Sequence, residues 1–222
     1  MPRTPPPDRP GPPVAEALDR LRRVAPDATA GRWLLVDVAA QRLHLLAGEA
    51  TVATWPVSTA AAGVDAREGS GGTPPGVHRI SQRIGAGAPS GMVFVSREPT
   101  GRIWAPGPSP EPSPEPTGSG ARDVQGATGN DATDAADATD ATDGTVGEPD
   151  LILTRVLTLD GLEDGINRGP GVDSASRYIY LHGTNAEHRL GTPCSHGCVR
   201  LANADVATLF ELVREGDPVV II

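Results

Sequence analysis

The chain has 222 residues, 38% of them apolar but only seven aromatic, enough for one medium domain with a core of Val, Leu and Ile. Its 27 glycines and 23 prolines are too many for a uniformly packed globule and imply unstructured segments. The formal charge of −9 is local: ten of the 28 acids but one of the 19 bases lie between Ala105 and Asp150, so the remainder is balanced at 18 of each sign and offers neither a nucleic-acid groove nor a polybasic membrane face.

Every base is Arg, which removes lysine Schiff-base chemistry and P-loop phosphate binding. No run of eighteen apolar residues exists, so no transmembrane helix is expected. Residues 1–13 contain seven prolines and read as a polyproline-like tail, with no apolar stretch of signal-peptide length before the charged segment 16–23. Val14, Leu18, Leu21 and Val24 then recur at helical spacing and predict a short amphipathic helix over 14–25 that packs on the domain. Tail and helix together make up residues 1–30.

From Trp33 the pattern becomes that of strands: 33–38, 42–46, 51–57, 77–82 and 92–96, bounded by Gly and Pro. His44 and His78 fall inside them and read as packed residues. Residues 106–148 are low in complexity, with alternating Pro and Ser or Glu followed by Asp at every third position from Asp131 to Asp143. So few apolar anchors cannot offset the entropy of ordering, so a disordered acidic insertion is expected. The glycines of a calcium-binding repeat are missing from the Asp series. Strands resume at 151–159 and 178–182. A helix then runs from an Asn203 cap through Val206, Leu209, Phe210 and Val213 to Gly216, and a last strand spans 219–222. The fold class is mainly β with one or two short helices.

The densest reactive cluster is Tyr180-Leu-His182-Gly183 followed by Cys194-Ser-His-Gly-Cys198-Val-Arg200. A cysteine is a useful nucleophile only when its thiolate is stabilised by an imidazolium, by backbone amides or by both. His182 ends a strand, Cys198 follows Gly197 in a tight loop ahead of a helix, and their separation of sixteen positions lets the chain return. His196, Gly197 and Cys198 offer consecutive amides for an oxyanion. A zinc site of Cys194, His196, Cys198 and His182 lacks the usual ligand spacing. His188 reads as a solvated loop residue. Cys194 reads as a small loop residue, with a strained disulfide to Cys198, and hence redox sensitivity, as the sharper alternative.

The run Ser195-His-Gly-Cys-Val-Arg200, with the upstream Tyr178-Ile-Tyr-Leu-His-Gly183, resembles the active-site signature of the L,D-transpeptidases, the YkuD-like peptidoglycan cross-linking enzymes. Leu35-Val-Asp-Val, Gln41-Arg-Leu, Trp55-Pro-Val-Ser-Thr59 and Thr73-Pro-Pro-Gly-Val-His-Arg-Ile80 resemble that family's N-terminal strands. The resemblance implies a β-sandwich-like catalytic domain over 31–222, interrupted by the insertion. In it Cys198 is the nucleophile and His182 the general base, the amides of His196, Gly197 and Cys198 form the oxyanion hole, and Ser195, Arg200 and Gly183 contact substrate. It implies two-step acyl transfer between a tetrapeptide stem and an amine, with no metal or organic cofactor, in the cell envelope, and with carbapenems as acylating inhibitors of Cys198. An L,D-carboxypeptidase using water and a catalytically silent wall-binding domain are the alternatives. A papain-like peptidase is disfavoured because His182 precedes Cys198.

Overall fold

The computed structural model describes residues 12–106 and 150–222. The expected proline-rich tail up to residue 11 and almost all of the acidic insertion fall outside the described residues, while Pro12 and Pro13, expected in the tail, are helical. The chain divides into two units, Met1–Trp104 with Leu151–Ile222, and Ala105–Asp150. All described helices and strands belong to the first.

Helix α1 (Pro12–Val24) precedes strands β1 (Arg32–Asp37), β2 (Arg42–Ala47), β3 (Ala50–Pro56), β4 (Gly76–Ile84), β5 (Met92–Val95) and β6 (Glu98–Ile103). After the insertion come β7 (Ile152–Gly161), β8 (Tyr180–Gly183), β9 (Val199–Leu201), α2 (Asn203–Leu212) and β10 (Pro218–Ile221). The strands form one mixed sheet in the order β3-β2-β1-β10-β4-β7-β5-β6, and β8 branches from β7 to carry β9. This is the mainly β fold with two helices that the sequence predicts.

Strand β1 is central because both of its faces are apolar. Leu34 and Val36 enter a core with Leu43, Leu45, Ile80, Leu157, Leu181, Val199, Val219 and Ile221, which α2 covers with Val206, Leu209 and Phe210. Trp33 and Leu35 enter a second core with Val77 and Val220, which α1 covers with Ala17, Leu18 and Leu21. Pairing of β1 with β10 is parallel, Leu35 opposite Val220, so the C-terminal strand is locked between β1 and β4.

Three sequence expectations need correction. Strand β6 was not expected: Pro99 and Gly101 argue against a strand, but β6 is exposed along its whole length and pairs on one side with β5. It is reached through a two-residue turn in which Ser96 and Arg97 both have positive φ, 47° and 74°. Strand β9 was not expected between Cys198 and α2. Helix α2 is not capped by the Asn203 side chain and does not run to Gly216. Its cap position is Ala202, the Glu187 carboxylate accepts the Asn203 N–H at 2.8 Å, and the helix closes at Val213.

The long connection from β7 to β8 is fastened from beneath. Glu163 accepts the Val77 N–H at 2.6 Å and is paired with Arg20 of α1 at 2.9 Å. Asn167 donates to the Pro75 carbonyl at 2.9 Å, and His78 Nε2 meets Ser174 Oγ at 3.0 Å. His78 is fully buried, and desolvation pushes its pKa down to about 4, partly opposed by the Gly76 carbonyl. The ring is therefore neutral in the folded state, while the unfolded chain protonates it near the usual 6.5. The unfolded state binds the extra proton, so stability is full above that value and is lost as pH falls towards about 4. Urea unfolding should show a loss of about 3 kcal/mol across this window that is absent from a His78→Gln variant; equal slopes for both proteins would refute the assignment.

Candidate active site

Strands β8 and β9 run parallel, with Leu181 opposite Val199 and His182 opposite Arg200. Partners in such a pair project to the same face, and alternate residues to opposite faces. Leu181 and Val199 both enter the main core, so His182, Arg200, Tyr180 and Cys198 lie on the other face. Tyr180 and Cys198 indeed share a separate cluster with Phe94 and Val156. Strand β9 thus puts His182 and Cys198 on one face of the sheet.

His182 is 2% exposed, and its Nδ1 lies 2.8 Å from the Gly183 carbonyl. A carbonyl only accepts, so Nδ1 carries the proton and Nε2 is the basic nitrogen of the neutral ring. Cys198 is half-buried and its Sγ donates to the Tyr178 carbonyl at 3.3 Å. His196 is exposed.

The loop carrying these residues is held by the segment after β3. Ser58 and Arg200 exchange backbone bonds at 3.0 and 2.9 Å, and the Thr59 carbonyl accepts the amides of Cys194 and Ser195 at 2.8 and 2.9 Å. Gln41 accepts the Thr59 N–H at 2.9 Å and donates to its hydroxyl at 2.7 Å. Thr73 Oγ1 donates to the Gly197 carbonyl at 3.0 Å. Gly197 has φ +131°, a backbone that a Cβ would strain.

The three residues expected to contact substrate, Ser195, Arg200 and Gly183, are all buried. Ser195 is 1% exposed; its hydroxyl donates to the Cys198 carbonyl at 2.6 Å and accepts the Gly197 N–H at 3.3 Å, closing the nucleophile loop. Arg200 is 3% exposed, and its guanidinium donates to the Cys194 sulfur at 3.5 Å. Ser58 Oγ is 3.0 Å from the same sulfur, so Cys194 is a buried thiol inside a polar knot. Both cysteines are free thiols. Among the described residues no group of three or more His, Cys, Asp or Glu side chains is arranged to hold a metal ion.

The sequence model for the L,D-transpeptidase catalytic domain, YkuD, matches residues 31–221. The chain belongs to this family. A 40-residue stretch is 52% identical to the probable L,D-transpeptidase YbiS of Escherichia coli K12, covering 18% of this chain and 13% of that one. Among solved structures, the L,D-transpeptidase of Mycobacterium smegmatis is 12% identical with a TM-score of 0.45, over 87% of this chain and 59% of that one. The L,D-transpeptidase of Xylanimonas cellulosilytica is 16% identical with a TM-score of 0.45, over 96% and 70%. The match therefore spans a small part of YbiS and about three fifths of the mycobacterial chain.

In this member of the L,D-transpeptidase family, sequence reasoning missed the groups on the far side of Cys198. Tyr178 has φ +56°, and its carbonyl meets the thiol. Arg97, at the tip of the β5–β6 hairpin, donates to the Tyr180 hydroxyl at 2.7 Å and lies 5.1 Å over the Tyr178 ring. Burial raises the Tyr180 pKa, an effect opposed by that Arg97 bond. Arg177 donates to the Gly72 and Asp65 carbonyls of the loop after β3. Gln41 and Thr73 lie in segments that resemble the family, but nothing local in the sequence signals their bonds.

The Ser195 bonds carry a prediction. Ser195→Ala removes the acceptor of a buried Gly197 N–H, which costs about 1–3 kcal/mol. Loosening the loop should also slow acylation of Cys198 by roughly 10- to 100-fold. Thermal melting and stopped-flow acylation check both; an unaltered acylation rate would show that the loop holds its shape without this hydroxyl.

Proposed function

We propose that the chain acts on peptidoglycan stem peptides as an L,D-transpeptidase through a thioester on Cys198. The observation that supports this reading is the common face of β8 and β9 to which His182 and Cys198 both belong, in a domain of this family. His182 Nε2 takes the thiol proton, and the sulfur attacks the carbonyl of the third residue of a donor tetrapeptide. A carbon–sulfur bond forms, the bond to the terminal D-alanine breaks, and the proton passes to the departing amine. The amine of an acceptor stem then attacks the thioester, His182 removes its proton, and Cys198 leaves as the thiol. The amides of His196, Gly197 and Cys198 serve the oxyanion; Gly197 enters with its N–H engaged by Ser195 at 3.3 Å, a long bond that a better acceptor displaces. The site of action is the cell envelope.

The test is incubation with a disaccharide tetrapeptide, alone and with an amine acceptor, followed by intact mass of the protein and analysis of the products. An acyl-enzyme with released D-alanine and a cross-linked product supports transpeptidation. Release of D-alanine without cross-link in the presence of acceptor assigns the carboxypeptidase reaction instead. Binding of sacculi with neither product nor acyl-enzyme makes the domain a silent wall binder.

A further inference from the structure

The hydrogen bond from Cys198 to Tyr178 raises a difficulty. A carbonyl that accepts from the S–H favours the neutral thiol and repels the thiolate. A nucleophile placed against such a carbonyl needs positive charge close by, and Arg177, the residue just before Tyr178, supplies it. Its guanidinium is half-buried and donates to the Gly72 carbonyl at 2.7 Å, to the Asp65 carbonyl at 3.2 Å and to Ser70 Oγ at 3.5 Å. All three acceptors are uncharged, and among the described residues no carboxylate lies within ion-pair distance of Arg177. Asp65, the acid whose charge acts most on Arg177, has its carboxylate taken by Arg67 at 2.6 Å.

The same guanidinium sits against the residue before the nucleophile. A Cβ placed on Gly197 would lie 3.2 Å from the Gly72 carbonyl and 3.9 Å from an Arg177 nitrogen. The Arg177 head therefore lies near the glycine preceding Cys198, while the Cys198 sulfur contacts the residue following Arg177. We propose that Arg177 is a charge-positioning residue of this site, whose guanidinium holds Cys198 as a thiolate once its proton has passed to His182. This rests on the reading of Cys198 as the nucleophile.

The electrostatics agree. Burial lowers the Arg177 pKa, and the charges of Asp65, Cys198 and Glu68 oppose that shift. The Cys198 charge in turn raises the Tyr180 pKa. The ionisable groups of this region are His182 and Tyr180 on β8, Arg200 on β9 with its guanidinium on the Cys194 sulfur, His196 in its own loop, Arg177 and Tyr178 ahead of β8, Asp65 and Glu68 in the loop after β3, and Arg97 on the hairpin. Arg97 is committed to the Tyr180 hydroxyl and the Ala175 carbonyl.

The test is the pH dependence of Cys198 alkylation by iodoacetamide in the full chain, read by peptide mass so that Cys194 is counted separately. This measures thiol ionisation and needs no peptidoglycan substrate. Arg177→Gln keeps a donor for the Gly72 carbonyl and removes the charge; Arg177→Lys keeps the charge. The glutamine variant should raise the alkylation midpoint by about one pH unit and slow alkylation at pH 7 about three- to tenfold, and lysine should recover most of the loss. Arg177→Met, with a stem of similar length, is the second uncharged variant should glutamine not fold.

An unmoved midpoint in a folded uncharged variant, or an equal shift in the lysine and glutamine variants, overturns the proposal and leaves Arg177 a tie between loops. A wild-type midpoint at or above the free-cysteine value of about 8.5 overturns it with no variant at all. Failure of the transpeptidase reading is separate: it would appear as no acyl-enzyme from a tetrapeptide donor despite a thiolate that ionises as described.

Discussion

Incubated with a carbapenem, the wild-type protein is expected to gain the mass of one inhibitor molecule, and a Cys198→Ala variant to gain none. In the proposed mechanism the sulfur forms the acyl bond, so its removal should lower acylation and turnover by about a thousandfold or more. The fold should be indifferent. Cys198 is half-buried at the rim of a small cluster and its S–H bonds weakly to the Tyr178 carbonyl, so the melting temperature of the variant should change little. Cys194→Ala supplies the contrast. It leaves the adduct in place but empties the sulfur position between Ser58 and Arg200, where a buried guanidinium loses a partner, and so should lower stability. An adduct retained by Cys198→Ala would move the nucleophile elsewhere. No adduct on folded, reduced wild-type protein would mean that the thiol is not activated, and would bring the binding-domain reading forward.

The sequence disclosed the parts of this fold in which one residue type at one spacing has one physical use. Leu34, Leu35 and Val36 could be read as a strand because a continuous apolar run bounded by polar residues is what a strand buried on both faces requires. His182, Gly197 and Cys198 could be read together because their spacing suits a cysteine nucleophile. Parts that depend on partners far along the chain were hidden. β6 carries Pro99 and Gly101 and turns through Ser96-Arg97 without a glycine, so nothing local announces it. The three residues of β9 are too few to show a period, and their pairing with β8 is visible only in space. Asn203 has the composition of a helix cap, but its side chain reaches inward to Thr184, Glu187 and Thr154. Arg177 belongs to no periodic pattern, and its acceptors lie about a hundred residues away.

Gly183 separates a contact with substrate from a packing requirement. Its carbonyl accepts from His182 Nδ1 at 2.8 Å and so fixes which ring nitrogen is basic. A Cβ at this position would collide with Asn203 Oδ1, lie 2.7 Å from the Leu153 carbonyl and 3.2 Å from Val206. The first two neighbours cannot yield cheaply. Asn203 is held by bonds to the Thr184 carbonyl at 2.8 Å and to Glu187 at 2.7 Å, and Leu153 is backbone of β7 paired with Gly183 itself. Gly183→Ala should therefore destabilise the domain by about 2–3 kcal/mol, within the range for an overpacked core. Because the strain falls on the peptide that orients His182, the folded fraction should also acylate more slowly, by roughly tenfold or more. A residue that merely touched substrate would behave otherwise: alanine would raise the KM for the donor peptide and leave chemical denaturation unchanged. Denaturation midpoints measured beside carbapenem acylation rates distinguish the two, and a variant with wild-type stability would remove the packing explanation for glycine at this position.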